Sequence, residues 1–341
     1  NRMHEKLLVV DGDKLLMGGM NVADDYLQGG VTRKGWHDTD VLIEGPAAAE
    51  AQKVFLKLWE LSRYLDSPAP FPPFEKAETK LLQKLFYEDD GRFQVRPPAL
   101  GGKKPALVDA EIPFRKYLGD PFYFPALAPR PEWTTPLRFI YDNTLVDRNP
   151  RTGRQVSKIM DTLIYLIRMS RSSVLLFVPY LTPHEDFLAE LEKAAKAGKT
   201  VVLVTNSERS HDIGTIPWKA GTSHYGPLLE AGVHLFEWQG HADLLEIEKA
   251  NGCTIPDGQW PGRTIHSKVA VIDGQVCLVG SHNFNVRSES FNNEAAALFQ
   301  SREVGRQLVR VFVDDLDLNE AKRSVPCGAS VYDRPRRVKK I

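Results

Sequence analysis

Two histidine–lysine pairs carry the chemistry that this sequence can do. "HEKLLVVDG" places His4, Lys6 and Asp11 ahead of Gly12, and "HSKVAVIDG" repeats the order with His266, Lys268 and Asp273 ahead of Gly274. Gly18 and Gly280 correspond as well, and Asn21 and Asn283 each stand 17 positions beyond their histidine. Alternate residues of a strand point to one face, so each His projects together with its Lys. Asp11 and Asp273 lie an odd number of positions further on, at an Asp-Gly step, where each orients its hairpin rather than reaching a reacting atom.

Two imidazoles and two ammoniums suit substitution at a phosphodiester, a reaction in which a protein contributes mainly alignment and charge stabilisation. One imidazole is a candidate nucleophile that would form a phosphohistidine. The other would protonate the leaving oxygen and then activate the incoming water or alcohol. A reference pKa of about 6.5 lets one ring be neutral while the other is protonated. Lys6, Lys268, Asn21 and Asn283 would hold the non-bridging oxygens in place of a metal ion. Each copy supplies half of this set, so the site must lie where two units meet. Glu294, 28 positions after His266, opens a strand-like stretch, and "HDTDVLIE" aligns with it through Asp38, with Asp40 as the competitor. A carboxylate there is expected to bind the far nitrogen of the imidazole in its own unit and fix its tautomer.

Regular elements must position these groups. "EKLLVVDGDKLLMGG" and "KVAVIDGQVCLVGS" read as hairpins around their Asp-Gly steps. Residues 44–65 put Ala47, Ala51, Val54, Phe55, Leu58 and Leu61 at helical spacing. From Leu137 the pattern alternates, with strands predicted at 137–143, 173–181, 199–207 and 233–238 and helices at 155–171, 184–198 and 225–232. A closing helix is predicted at 301–317. Val- and Leu-rich strands between helices predict an α/β fold whose sheet is covered on both faces. The boundaries follow: 1–66 for a first unit, 67–136 for a Pro-rich segment with a helix candidate at 78–90, 137–320 for a second unit, and 321–341 for a basic tail.

The two units are unequal. About 130 residues of alternating strand and helix precede His266 in the second, against three before His4 in the first. A hairpin without its central strands has no sheet to join. The first unit is therefore expected to lack its front half here, whether cut off, left out, or supplied by another chain.

Composition bounds the rest. The 341 residues carry 44 Lys plus Arg against 44 Asp plus Glu, which argues against a surface that grips polyanions throughout. Cys253, Cys277 and Cys327 have neither disulfide-framework nor zinc-ligand spacing. No apolar run of about 20 residues occurs, so no spanning helix is expected within these residues.

The doubled H-x-K-x(4)-D pattern resembles that of the phospholipase D superfamily. "GGMNVADDYL", "HDTDVLIEGPAA" and "LVGSHNFNVRSESFNNE" are similar to its bacterial cardiolipin synthase-like branch. The resemblance covers 4–65 and 139–317. It implies two similar units, each a mostly parallel or mixed β-sheet flanked by helices, with the active site at their interface. It implies that His4 is the nucleophile and His266 the acid, that the Lys and Asn pairs bind phosphate, that Ser281 lines the pocket, and that no metal or other cofactor is needed. The chain departs from the pattern at Asn285, where an Asp is usual, and at bulky His282, read as packing. Trp218, Tyr225, Trp238 and Trp260 fall in segments that should approach the cleft; core packing is the favoured reading for any one of them, and an apolar or stacking wall the alternative.

The expected function is phosphatidyl transfer to an alcohol, or hydrolysis, on glycerophospholipids at a bacterial inner-membrane face. The partners expected are a phospholipid, the membrane surface and the front half of the first unit. The alternative is a metal-independent nuclease. Against it stand the balanced charge and the lack of basic residues interleaved with aromatics, which make nucleic acid an unlikely partner. A non-catalytic scaffold would be expected to have lost a His or Lys, and both motifs are complete.

Overall fold

Both Asp-Gly steps form the hairpins that the sequence predicts. In a computed structural model, φ is 53° and 72° at Asp11 and Gly12, and 52° and 66° at Asp273 and Gly274. Two successive left-handed residues are what a type I′ turn requires, and its twist matches that of the strands it joins. The structure describes residues 2–23, 26, 36–65, 137–143, 147, 156–208, 210–211, 215–238, 264–316 and 336–337. The Pro-rich segment, its helix candidate and Trp260 lie outside these. Asn1–Gln52 with Trp133–Ile341 form one compact unit, which holds both motifs, and Lys53–Glu132 form another.

The first repeat contributes β1 (Arg2–Met3), β2 (Leu7–Val10), β3 (Lys14–Gly18), β4 (Trp36–His37), β5 (Asp40–Glu44) and α1 (Pro46–Leu65). The second begins with β6 (Leu137–Asp142), α2 (Lys158–Met169), β7 (Ser173–Phe177), α3 (Glu185–Lys196) and β8 (Thr200–Asn206). It continues with α4 (Thr215–Thr222), α5 (Tyr225–Ala231), β9 (His234–Trp238), β10 (Thr264–Ile265), β11 (Val269–Ile272) and β12 (Val276–Gly280). It closes with α6 (Val286–Phe291), β13 (Asn292–Gln300), α7 (Arg302–Leu316) and β14 (Arg336–Arg337). Ser157 caps α2 with its hydroxyl, and Gly198, at φ 81°, follows the C-cap of α3.

The main sheet is mixed. It runs β1-β13-β12-β11-β7-β8-β9-β14, and β6 pairs β13 on the edge that β1 also uses. One face packs on α2, α3 and α5 through Ile159, Leu163, Phe187, Leu191 and Leu228. The other face meets α7 and the first repeat's own small sheet, β2-β3-β5, through Phe312, Leu308, Leu15, Met17 and Ile43. The apolar strands are thus covered on both sides, as the sequence requires.

Two matching glycines let the strands close on one another. A Cβ on Gly280 would collide with the carbonyl of Ala295 across the sheet, and one on Gly18 with Thr39 and Asp40. We expect Gly280→Ala to lower stability by about 1–3 kcal/mol in urea denaturation, the usual cost of overpacking. Gly226→Ala, in α5 with nothing within 4 Å of the added carbon, is expected to be neutral or stabilising.

Candidate active site

Each histidine ring follows directly from a two-residue parallel pairing between the repeats. β1 lies along the start of β13, and His4 N donates to Asn293 O at 3.1 Å. β4 lies along β10, and His266 N donates to His37 O at 2.7 Å. In both cases the accepting residue immediately precedes a carboxylate. Glu294 Oε2 is 2.9 Å from His4 Nδ1, and Asp38 Oδ2 is 2.7 Å from His266 Nδ1.

The pairs are therefore crossed between the repeats, which corrects the expectation that Asp38 and Glu294 each serve the imidazole of their own unit. The reason lies in strand order. His266 precedes β11 and Glu294 opens β13, with β12 between them, a separation of roughly 10 Å at two strand spacings. His4 and Asp38 are kept apart in the same way by β3. The opposite repeat is nearer.

Electrostatics fix the working nitrogens. Burial alone would raise Asp38, but the Lys268 ammonium and the His266 hydrogen bond outweigh it and hold the carboxyl below its ordinary value. Glu294 is likewise lowered against its burial by His4, His282 and Ser281. An ionised carboxylate only accepts, so Nδ1 of each ring carries the hydrogen and Nε2 keeps the lone pair for chemistry. Burial, reinforced by Lys268, pushes His266 down to about 4 despite Asp38. The His266 side chain is 5% exposed and that of His4 27%.

The lysines repeat one another too. Lys6 Nζ donates to His4 O at 2.6 Å, and Lys268 Nζ donates to His266 O. Lys268 is fully buried, and burial lowers Lys6 against the pull of Glu294, Asp38, Glu5 and Asp40. Ser281 Oγ donates to Glu294 Oε2 at 2.5 Å, and Asn292 Nδ2 to Oε1 at 3.1 Å, so both carboxylate oxygens are held. Asn283 is buried, its N–H given to Ser288 Oγ at 3.1 Å, with Oδ1 making no hydrogen bond. Next to it, Phe284 adopts φ 52°, a strained value for a bulky residue that sets where Asn283 sits.

Other expected residues resolve differently. Asp38, and not its competitor Asp40, takes an imidazole: Asp40 accepts from Met20 N at 3.2 Å, and burial beside Asp38 pushes it up to about 6. Asp273 accepts from the backbone N–H groups of Arg171, Ser172 and Ser173, and Asp11 is exposed at the matching turn. His282 is core, accepting from Phe284 N through Nδ1 at 2.9 Å. Three of the four singled-out aromatics make contacts within the fold, in keeping with the favoured packing reading. Trp238 is buried against His37, and Trp218 and Tyr225 both donate to Glu237 on β9. Among the described residues no group of three or more His, Cys, Asp and Glu is arranged to hold a metal.

Sequence reasoning missed the aromatic surroundings of His266. Trp36 and Tyr26 stand 5.1 and 5.5 Å from its ring centroid and Tyr180 6.3 Å. The signal available was Tyr26 five positions after Asn21 and Trp36 two before Asp38, neither of which has a periodicity to flag it.

A family described as cardiolipin synthase, phospholipase D-like domain, matches residues 163–316. The chain is 26% identical over 316 residues to cardiolipin synthase 2 of Bacillus cereus, covering 93% of this chain and 45% of that protein. To cardiolipin synthase C of Escherichia coli it is 24% identical over 317 residues, covering 92% and 61%. By these matches the chain is similar to the cardiolipin synthases, and residues 163–316 to their phospholipase D-like domain. The chain spans about half the length of curated relatives such as these. The fold is shared with the phosphatidylserine synthase of Haemophilus influenzae, at TM-score 0.53 and 13% identity over 98% of this chain and 63% of that one.

In this site, Asp38 raises the His266 pKa. Asp38→Asn should therefore move the His266 midpoint below about 4 in an NMR titration and leave the His4 ring resonances in place. Glu294→Gln should perturb His4 and spare His266. The reverse pattern would contradict the crossed pairing.

Proposed function

We propose that this chain carries the catalytic core of a phosphatidyltransferase that works on glycerophospholipids through a phosphohistidine. The observation that carries the reading is the pair of imidazoles, each held through Nδ1 by an ionised carboxylate of the other repeat and each beside a lysine. The similarity to cardiolipin synthases supports the substrate class.

In the first step, Nε2 of one histidine attacks phosphorus and forms a P–N bond as the P–O bond to the leaving alcohol breaks. The other imidazole gives its proton to the departing oxygen. In the second, that imidazole, now neutral, takes the proton of the incoming hydroxyl while its oxygen displaces the histidine from phosphorus. His4 is the nucleophile and His266 the acid in the assignment that the family resemblance implies. The free His266 is held neutral by burial, and an anionic phosphodiester beside it would raise its pKa toward the protonated form that the first step needs. Lys6, Lys268, Asn21 and Asn283 bind the non-bridging oxygens, Ser281 holds Glu294, and Asp11 and Asp273 keep the hairpins in register.

Residues 1–66 and 137–320 act as parts of two phospholipase D-like domains, joined by 67–136 and followed by the tail 321–341. A front half of the first domain completes the assembly. Support comes from the outer face of β2-β3-β5, where Leu8 and Leu42 are 58% and 57% exposed. Their counterparts by repeat, Ala270 and Leu298, lie under α2 and α3 in the second unit. Among the described residues no helix is long and apolar enough to cross a membrane. Action on phospholipid at the inner-membrane face is part of this reading.

The test is an end-point assay on the full-length protein in EDTA. Phosphatidylglycerol vesicles should yield cardiolipin or phosphatidic acid, the product naming the acceptor. His266→Asn and His4→Asn should each lower turnover by more than about 100-fold, as loss of an acid–base group does. Cleavage of single-stranded DNA with lipid untouched would replace this reading with the nuclease.

A further inference from the structure

We propose that Tyr26 is a positioning residue for His266, its hydroxyl joining the Asn21 amide to the imidazole so that a phosphate-binding group of one repeat and the reactive ring of the other are set as a unit. The proposal rests on the roles given above to Asn21 and His266. Three observations carry it. Tyr26 Oη lies 3.1 Å from His266 Nδ1, on the same ring nitrogen that Asp38 engages at 2.7 Å. Asn21 Nδ2 donates to that hydroxyl at 3.1 Å. The phenol ring is wedged against Trp36, at 4.9 Å between centroids, and meets the imidazole edge-on at 5.5 Å and 70°.

The chemistry of the hydroxyl explains why it suits this position. Asp38 is ionised and can only accept, so it alone selects the Nδ1–H tautomer without fixing the ring about the line between them. A second oxygen off that line, with a lone pair left after accepting from Asn21, defines the plane of the imidazole and hence the direction of Nε2. Outer partners of this kind orient a reactive imidazole and set its tautomer. Because Asn21 is bound to the same hydroxyl, a substrate oxygen that draws the Asn21 amide toward it also acts on the Tyr26–His266 contact. Occupancy of the phosphate position is thereby linked to the aim of the ring. Position 26 corresponds by repeat to Ser288, which has no phenol and accepts from the Asn283 backbone N–H, so the device belongs to the first repeat.

The test uses the full-length protein, selectively labelled with 15N-histidine, as wild type, Tyr26→Phe and Tyr26→Leu. We expect Tyr26→Phe, which keeps the ring and removes only the oxygen, to shift the His266 ring 15N resonances and to lower kcat on phosphatidylglycerol vesicles about 10-fold, the low end for loss of an outer partner. KM should stay within about twofold, since the hydroxyl acts through the ring rather than on the substrate. Unchanged His266 resonances and unchanged kcat in Tyr26→Phe, with a loss only in Tyr26→Leu, would overturn the proposal and leave the residue a packing group. A rise in KM alone would overturn it equally. If the wild type turns over no phospholipid, the preceding reading fails, while the ring resonances still decide the role of the hydroxyl.

Discussion

The crossed pairing of two carboxylates with two imidazoles is the constraint on which the rest depends. A buried carboxylate is costly unless a partner and further hydrogen bonds compensate it. Glu294 has Ser281, Asn292 and His4, and Asp38 has His266 with the buried Lys268 nearby. Neither charge is compensated by its own repeat alone. The two repeats therefore complete one another electrostatically as well as by packing.

Several local features make sense as consequences. The short strands β1, β4 and β10 are too brief to add much as sheet, yet each sets a histidine backbone on the residue before the opposite carboxylate. Gly18 and Gly280 allow hairpin and carboxylate strand to approach, which a side chain would prevent. Gly19 does the same beneath Asp38 itself. The apolar faces of both sheets then close over these polar contacts, so the low local dielectric strengthens every interaction at the site.

Much of this was legible in the sequence, for identifiable reasons. The strands at 173–177 and 200–206, the helices at 158–169 and 185–196 and both hairpins announce themselves through apolar periodicity and Asp-Gly turns. The residue types of the two motifs are those on which the proposed phosphodiester chemistry rests. What stayed hidden was the partner of each histidine. Two-residue parallel pairings have no periodicity, and the exchange of Asp38 and Glu294 depends on strand order across 200 residues and more. For Trp238, Trp218 and Tyr225 the sequence left two readings open, because an aromatic residue in a predicted cleft segment reads the same whether it lines a site or fills a core. Tyr26 was silent because one hydroxyl at the right distance is a tertiary fact.

The account stands most directly on whether the phosphatidyl group passes through a histidine. Full-length protein would be mixed with phosphatidylglycerol carrying 32P in its phosphodiester, quenched within milliseconds in alkaline detergent and mapped under alkaline conditions. The account predicts acid-labile label on one peptide, containing His4 or His266, whose decay matches the appearance of product. Sustained turnover with no label on either histidine would contradict it, and would mean that acceptor and donor exchange directly at phosphorus.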